Sequence, residues 1–195
     1  MTKGEDTKQM ILNAALNMAA RLGLEAVSIG ELAKVTKMSK SGLFAHFQSK
    51  ENLQNEILRH AGGLFSSRVV VPTLKTEAGI PRIKALVDNW IRWTSKITGG
   101  CIFVQASTEF KDRPGSVRDH LLLQQEAWIE SLRRIAKSAV GAGHFREDTD
   151  LDQFAFELYS FLLGFHLYDK LLENDDISKR QNTALEDLIQ RYRRI

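Results

Sequence analysis

The sequence predicts an all-α protein in two parts: an N-terminal three-helix unit of helix-turn-helix type and a larger C-terminal helical domain. Three observations carry that prediction. The chain has only 3 prolines and no useful stretch of apolar-polar alternation, so strands find no support. Residues 28–50, SIGELAKVTKMSKSGLFAHFQSK, read as two short helices joined by a tight turn and followed by the start of a third. Near the far end, residues 151–172 are apolar on more than one face, which a helix tolerates only when covered on more than one side.

Composition narrows the class. A chain of 195 residues with 43% hydrophobic and 26% charged residues is long enough for one or two small domains with a real core. Its net charge of +3 is too small to mark a nucleic-acid binder by itself, so local charge must carry that argument. Cys101 is the only cysteine; an internal disulfide is excluded and a reducing, cytoplasmic setting is expected. The opening MTKGEDTKQM lacks the apolar core of a signal peptide, and no run approaches the ~18 apolar residues of a membrane span.

Taken in order, residues 7–22 place Ile11, Ala14, Ala15, Met18 and Leu22 at helical spacing, with Gly23 as the stop. Ser28 and Glu31 form a capping box and Val27 with Leu32 a hydrophobic staple, so the next helix begins at Ile29 with Leu32, Ala33 and Val35 on its apolar side. Met38 falls in the turn. Ser39 then caps a second helix whose Leu43 and Phe47, four apart, point into a common core. Ser49 caps a fourth helix running through Leu53 and Ile57 to Phe65. Pro72, Gly79 and Pro81 mark residues 69–81 as an inter-domain loop, after which Pro81 opens a helix through Trp90 and Trp93 to about Ile97. Gly99 and Gly100 precede a shorter helix holding Cys101, Phe103, Val104 and Phe110; a long helix follows over 114–139 and GAGH closes it. The last helix repeats Ile177, Ala184, Leu185, Leu188, Ile189, Tyr192 and Ile195 at near-heptad spacing. This seam and the apolar helix before it predict a four-helix interface between two copies, with Gly164 allowing close approach. The expected division is therefore 1–49, a connecting helix over 50–68, and 69–195.

The face opposite Leu43 and Phe47 carries the chemistry. Lys40, Ser41 and Phe44 share it, and in a helix-turn-helix the first turn of the second helix enters the major groove. There Lys donates to guanine acceptors, Ser bonds several base edges, and an aromatic ring presses on a thymine methyl. Between Glu31 and Glu51 the only charges are Lys34, Lys37, Lys40 and Lys50, with His46 as a further donor. Phosphate neutralisation, which supplies most non-specific affinity, needs this single sign of charge. Ser28, His46 and Lys50 are read as phosphate contacts; Lys34 and Lys37 are equally consistent with a solvated face.

The pattern SIGELAKVTKMSKSGLFAHFQSKENL resembles the DNA-binding motif of the tetracycline-repressor (TetR) family, in which the recognition helix ends in an aromatic-x-His-Phe run followed by a Ser/Asn-Lys pair. Here those positions are Phe44, His46, Phe47, Ser49 and Lys50. Two departures stand out: Lys37 replaces the family's usual turn glycine, and Phe44 replaces its usual tyrosine, removing a hydroxyl donor to phosphate. GGCIF and EFKDRPGSVRD are similar, more loosely, to the ligand-binding half of the same family.

The resemblance implies a bacterial, homodimeric, sequence-specific regulator, a repressor released by a small-molecule effector, on pseudo-palindromic double-stranded operator DNA. Trp90, Trp93, Phe103, Phe110 and Trp128 are the candidate effector-pocket residues, although any helical core needs such side chains too. No nucleophile elbow, phosphate loop or recognisable carboxylate pair is present, so no catalytic residue or cofactor is expected. His120, His144 and His166 lack metal-ligand spacing. The competing class is a helical thiol-based sensor or enzyme using Cys101, against the plainer reading of Cys101 as a small core residue.

Overall fold

The structure is a computed structural model that describes residues 3–96, 100–172 and 176–194. Its helices are α1 (Lys3–Leu22), α2 (Ile29–Thr36), α3 (Lys40–Phe47), α4 (Lys50–Phe65), α5 (Val71–Leu74), α6 (Ile80–Lys96), α7 (Ile102–Phe110), α8 (Ser116–Gly141), α9 (Leu151–Lys170) and α10 (Ile177–Tyr192). Among the described residues the sole extended pairing is an isolated bridge between Phe145 and Arg193. Two compact units result: Met1–Phe65 with Thr94–Gln124, and Ser66–Trp93 with Gln125–Ile195. The first unit takes in α7 and the start of α8 together with the N-terminal helices.

In the first unit the helix starts are built as their residues dictate. Ser28 Oγ accepts from the Glu31 amide at 3.2 Å, Ser39 Oγ from the Gly42 amide at 3.1 Å and Ser49 Oγ from the Asn52 amide at 3.0 Å. The expected capping box is half made, since the Glu31 carboxylate takes Lys34 Nζ at 2.7 Å. Both staple residues, Val27 and Leu32, are fully buried, and so are Leu43, Phe47, Leu53 and Ile57. Each such side chain contributes about 1.5–3 kcal/mol relative to exposure. Val35, expected on the apolar side of α2, is exposed instead. It lies roughly 200° around the helix from Ala33, outside the narrow arc that so short a helix buries. Leu22, at the end of α1, is exposed as well. Lys37 ends α2 at φ 56°, the left-handed conformation for which glycine is the easier residue.

The stretch 69–81, expected as loop, is helical to Leu74. After Phe65 the bonding widens into a π turn (Ser66–Val70) that runs directly into α5. Pro72 is tolerated there because it occupies the first turn of α5, where its missing N–H has no partner to lose. Thr73 Oγ1 donates to the Val69 carbonyl at 2.6 Å and accepts from Asn89 Nδ2 at 3.0 Å, satisfying polar groups in a buried place. Ile97, Gly99 and Ile195, named in the sequence reading, lie outside the described residues.

In the second unit Phe145, Phe154 and Tyr192 form an aromatic cluster, with centroids 5.1 Å apart for Phe145–Phe154 and Phe154–Tyr192 and 5.8 Å for Phe145–Tyr192. Tyr192 also donates to Glu157 at 3.1 Å; burial first, then this bond, pushes its phenol up to about 12. Leu185, Leu188, Ile189 and Tyr192 are buried within the chain, so most of the α10 seam serves its own core and Ala184 alone of the central seam stays open. Helix α9 divides its apolar residues: Phe154, Leu158, Leu162 and Phe165 face inward, whereas Phe156, Leu163 and Leu167, and Leu171 just past its end, are exposed.

The start of α6 depends on His144, whose Nδ1 accepts from the Ile80 amide at 3.1 Å. Gly79 sits beside this bond at φ +98°, and a Cβ there would run into the His144 ring. Gly79→Ala should therefore destabilise the protein by about 1–3 kcal/mol. Gly63→Ala, in the last turn of α4 where the helical bonding continues into the π turn and no atom lies near the added methyl, should stabilise it by about 0.5–1 kcal/mol. Urea midpoints at constant slope would check both, and equal effects of the two changes would contradict the account.

Candidate nucleic-acid interface

The surface is assembled from the two ends of α3 and the helix starts beside it. Burial of Leu43 and Phe47 turns the opposite side of α3 outward, leaving Lys40, Ser41 and Phe44 in solvent, Phe44 55% exposed. An exposed phenyl ring on a two-turn helix gains nothing from its own fold. Ser41 Oγ lies 3.2 Å from Ser39 Oγ, so its hydroxyl has a local partner in solvent. The Lys40 stem runs against Gly30: a Cβ on Gly30 would sit 3.8 Å from both Lys40 Cε and Ser28 Oγ. Ser28, Gly30 and Lys40 thus meet where the α2 dipole is positive, favourable ground for an anion.

The other sequence-selected residues are placed less uniformly. His46 is half-buried with its ring 6.0 Å from that of Phe47. Ser28 Oγ already serves the Glu31 amide. Lys34 is paired with Glu31, whereas Lys37 and Lys40 make no ion pair among the described residues. Lys50 is held at 2.8 Å by Glu25, a partner that the sequence reading missed. Trp90, Trp93 and Trp128 belong to the second unit and Phe103 and Phe110 to the first; all five are buried. Phe103 meets Phe65 edge-on at 5.9 Å. Cys101 is buried at the start of α7, the ordinary place of a core thiol, and His166 is buried edge-on to Trp90 at 6.1 Å, with burial and then Lys170 lowering its pKa. Among the described residues no group of His, Cys, Asp and Glu is arranged to hold a metal, and no helix is long and apolar enough to cross a membrane.

A second set of polar residues, invisible to local spacing, fixes the back of this surface. Glu109, one residue before the end of α7, accepts from the amides of Leu24 at 3.1 Å and Glu25 at 2.8 Å. Gly23, at φ +90°, lets the chain come this close, since a Cβ there would touch the Glu109 carboxylate at 2.8 Å. Gln54 donates to the Leu24 carbonyl at 3.2 Å and to Glu25 at 3.3 Å. Lys50 above all, then Gln54 and Arg113, hold the Glu25 carboxyl below the usual carboxylate range against the opposing effect of burial. Asn55 donates to Ser116 Oγ at 2.7 Å, and Ser116 donates to Glu51.

A helical chain that opens on a three-helix helix-turn-helix unit, with a basic recognition helix turned outward, is a transcription regulator by class. Comparison with known proteins agrees. Residues 11–57 match the model for bacterial regulatory proteins of the tetR family, and residues 79–185 match the tetracyclin repressor-like C-terminal domain. The chain belongs to the TetR family. It is 33% identical over 55 residues to the HTH-type transcriptional regulator AcrR of Shigella flexneri, and 41% identical over 51 residues to the HTH-type transcriptional regulator QacR of Staphylococcus aureus. These stretches are 28% and 26% of this chain, and they span only 26% and 27% of the two relatives. The fold is similar throughout to a TetR transcriptional regulator from Chloroflexus aurantiacus, with a TM-score of 0.85 at 21% identity over 97% of this chain and 96% of that one.

Glu109→Ala should cost roughly 1.5–3 kcal/mol, as expected when two backbone donors lose a charged acceptor. Chemical denaturation checks this. A loss under about 0.5 kcal/mol would show that the carboxylate is not what ties α7 to the α1–α2 corner.

Proposed function

We propose that the protein is a dimeric, sequence-specific DNA-binding repressor released by a small-molecule effector. The observation that carries the reading is the outward face of α3, where Lys40, Ser41 and Phe44 stand exposed on a helix whose other side is fully buried. In this reading the first turn of α3 enters the major groove, Lys40 and Ser41 meet base edges, and Phe44 packs on a thymine methyl or sugar. Ser28, His46 and Lys50 meet phosphates. Residues 1–49 read DNA, 50–68 connect, and 69–195 bind effector and dimerise.

Dimerisation is supported by the stripe of Phe156, Leu163 and Leu167 left in solvent along α9, continued by Leu171 at its C-cap. Next to it a groove of about 500 Å³ between α9 and α10 is lined by Phe161, Gly164, Tyr168, Ile177 and Ala184. A second copy related by a two-fold axis covers both, since an isologous contact needs one self-complementary patch. Two recognition helices would then lie ~34 Å apart or a multiple of it, matching a pseudo-palindromic site. For the effector, the buried indoles Trp90, Trp93 and Trp128 of the second unit offer apolar walls. An effector that fits one arrangement of these helices better than another shifts the population away from the DNA-binding form.

Selection of bound duplexes from a random pool tests symmetry, spacing and specificity together. Lys40→Ala with Phe44→Ala should abolish retention of the selected duplex and leave the oligomeric state unchanged; retained binding would overturn the assigned reading surface. Leu163→Arg with Leu167→Arg should give a monomer in sedimentation at micromolar concentration and weaken operator binding, whereas a persisting dimer would place the interface elsewhere.

A further inference from the structure

Lys50 and Arg113 share one carboxylate. Lys50 Nζ lies 2.8 Å from Glu25 Oε1, and Arg113 Nη1 lies 3.2 Å from Glu25 Oε2. The two cations come from distant parts of the sequence, the first turn of α4 and the segment after α7. Glu25 is held for the purpose: its amide is bound by Glu109, and Gln54 bonds both its carboxylate and the preceding carbonyl. Arg113 is positioned by α7 as well, its guanidinium 5.7 Å over the Phe110 ring. Lys50, Glu25 and Arg113 remain 43%, 42% and 54% exposed, so a phosphate can reach them. They line an open concavity of about 310 Å³ with Glu51 and Arg118.

We propose that Glu25 is an internal counter-ion competing with DNA phosphate for Lys50, and that Arg113 is a positioning residue that sets the strength of this competition. The proposal rests on the reading of Lys50 as a phosphate contact and assigns roles to two residues outside the helix-turn-helix. When a phosphate draws Lys50 away, Glu25 retains Arg113 and Gln54. Without Arg113 the departing Lys50 leaves a carboxylate facing the phosphate with no cation on it, and like charges at that range oppose binding. Arg113 therefore favours the DNA complex without touching DNA. Because Arg113 follows the last turn of α7 by three residues, a shift of that turn changes DNA affinity with α3 itself unaltered.

The test uses the full chain with two probes, the duplex recovered by selection and a random-sequence duplex, across a series of salt concentrations. Exposed ion pairs of this kind correspond to about two- to fivefold in an equilibrium constant. Glu25→Gln should tighten binding to both duplexes by about that factor at every salt concentration, since Lys50 then has no internal carboxylate to leave. Arg113→Gln should weaken binding by a similar factor and have no effect when combined with Glu25→Gln. Glu25→Ser serves as a second variant in case the first perturbs folding, with thermal unfolding followed in parallel.

Weaker binding by both folded Glu25 variants overturns the proposal. So does a loss from Arg113→Gln that persists in the Glu25→Gln background, which would mean that Arg113 meets DNA directly. If Lys50→Gln changes neither affinity nor salt slope, the phosphate contact itself is absent and the competition falls with it; a Lys50 effect without Glu25 or Arg113 effects removes the competition alone.

Discussion

An eight-residue helix cannot persist alone in water, because nucleation costs more than two turns of hydrogen bonds return. Helix α3 exists only because Leu43 and Phe47 are buried against its neighbours, and that burial decides which side chains face outward. Stability and function are thus one constraint seen from two sides. The caps at Ser28, Ser39 and Ser49 define where the three short connections turn, and the buried side chains lock the rotation of each helix about its axis. A rotation of α3 by one residue would bury Lys40 or expose Phe47, neither of which the core can accommodate.

The backing of this unit is not local. Helix α7 and the beginning of α8 fold with the N-terminal helices, and their polar side chains bind main-chain groups that the α1–α2 corner leaves open. A carboxylate on two amides is a directional contact, unlike apolar packing, so it specifies position more closely than burial does. Gly23 and Glu109 form a matched pair in this respect: the glycine opens the space and supplies the positive φ, and the carboxylate fills it. Segment 94–124 therefore belongs physically to the unit that carries the basic surface, even though residues 51–93 separate it from the helix-turn-helix in the chain.

The second unit follows a different logic. Its core is aromatic in part, built from Phe145, Phe154 and Tyr192, and it consumes most of the apolar seam of α10. Helix α9 has more apolar surface than one chain can cover. The exposed stripe on α9 is consequently the unsatisfied part of an otherwise complete core, and the small residues Gly164 and Ala184 beside it leave room for close packing.

Helix starts, the helix-turn-helix and the outward chemistry of α3 were determined by the sequence alone, because caps, staples and the i to i+4 pairing of Leu43 with Phe47 act over a few residues. The left-handed turn at Lys37 was implied by the motif's resemblance to the TetR family, whose usual residue there is glycine. Tertiary structure decided the rest. Val35 is exposed because of what α2 packs on, residues 69–74 are helical because a π turn accommodates the step into α5, and Leu188 and Ile189 face inward because the chain's own core claims them. The ion pairs of Glu25 and the Glu109 contact join residues 25 to 88 positions apart, and no periodicity records such a distance. Local signals specify where an element begins and which side of it is apolar; only the folded chain decides which neighbour covers that side and which charges meet across it.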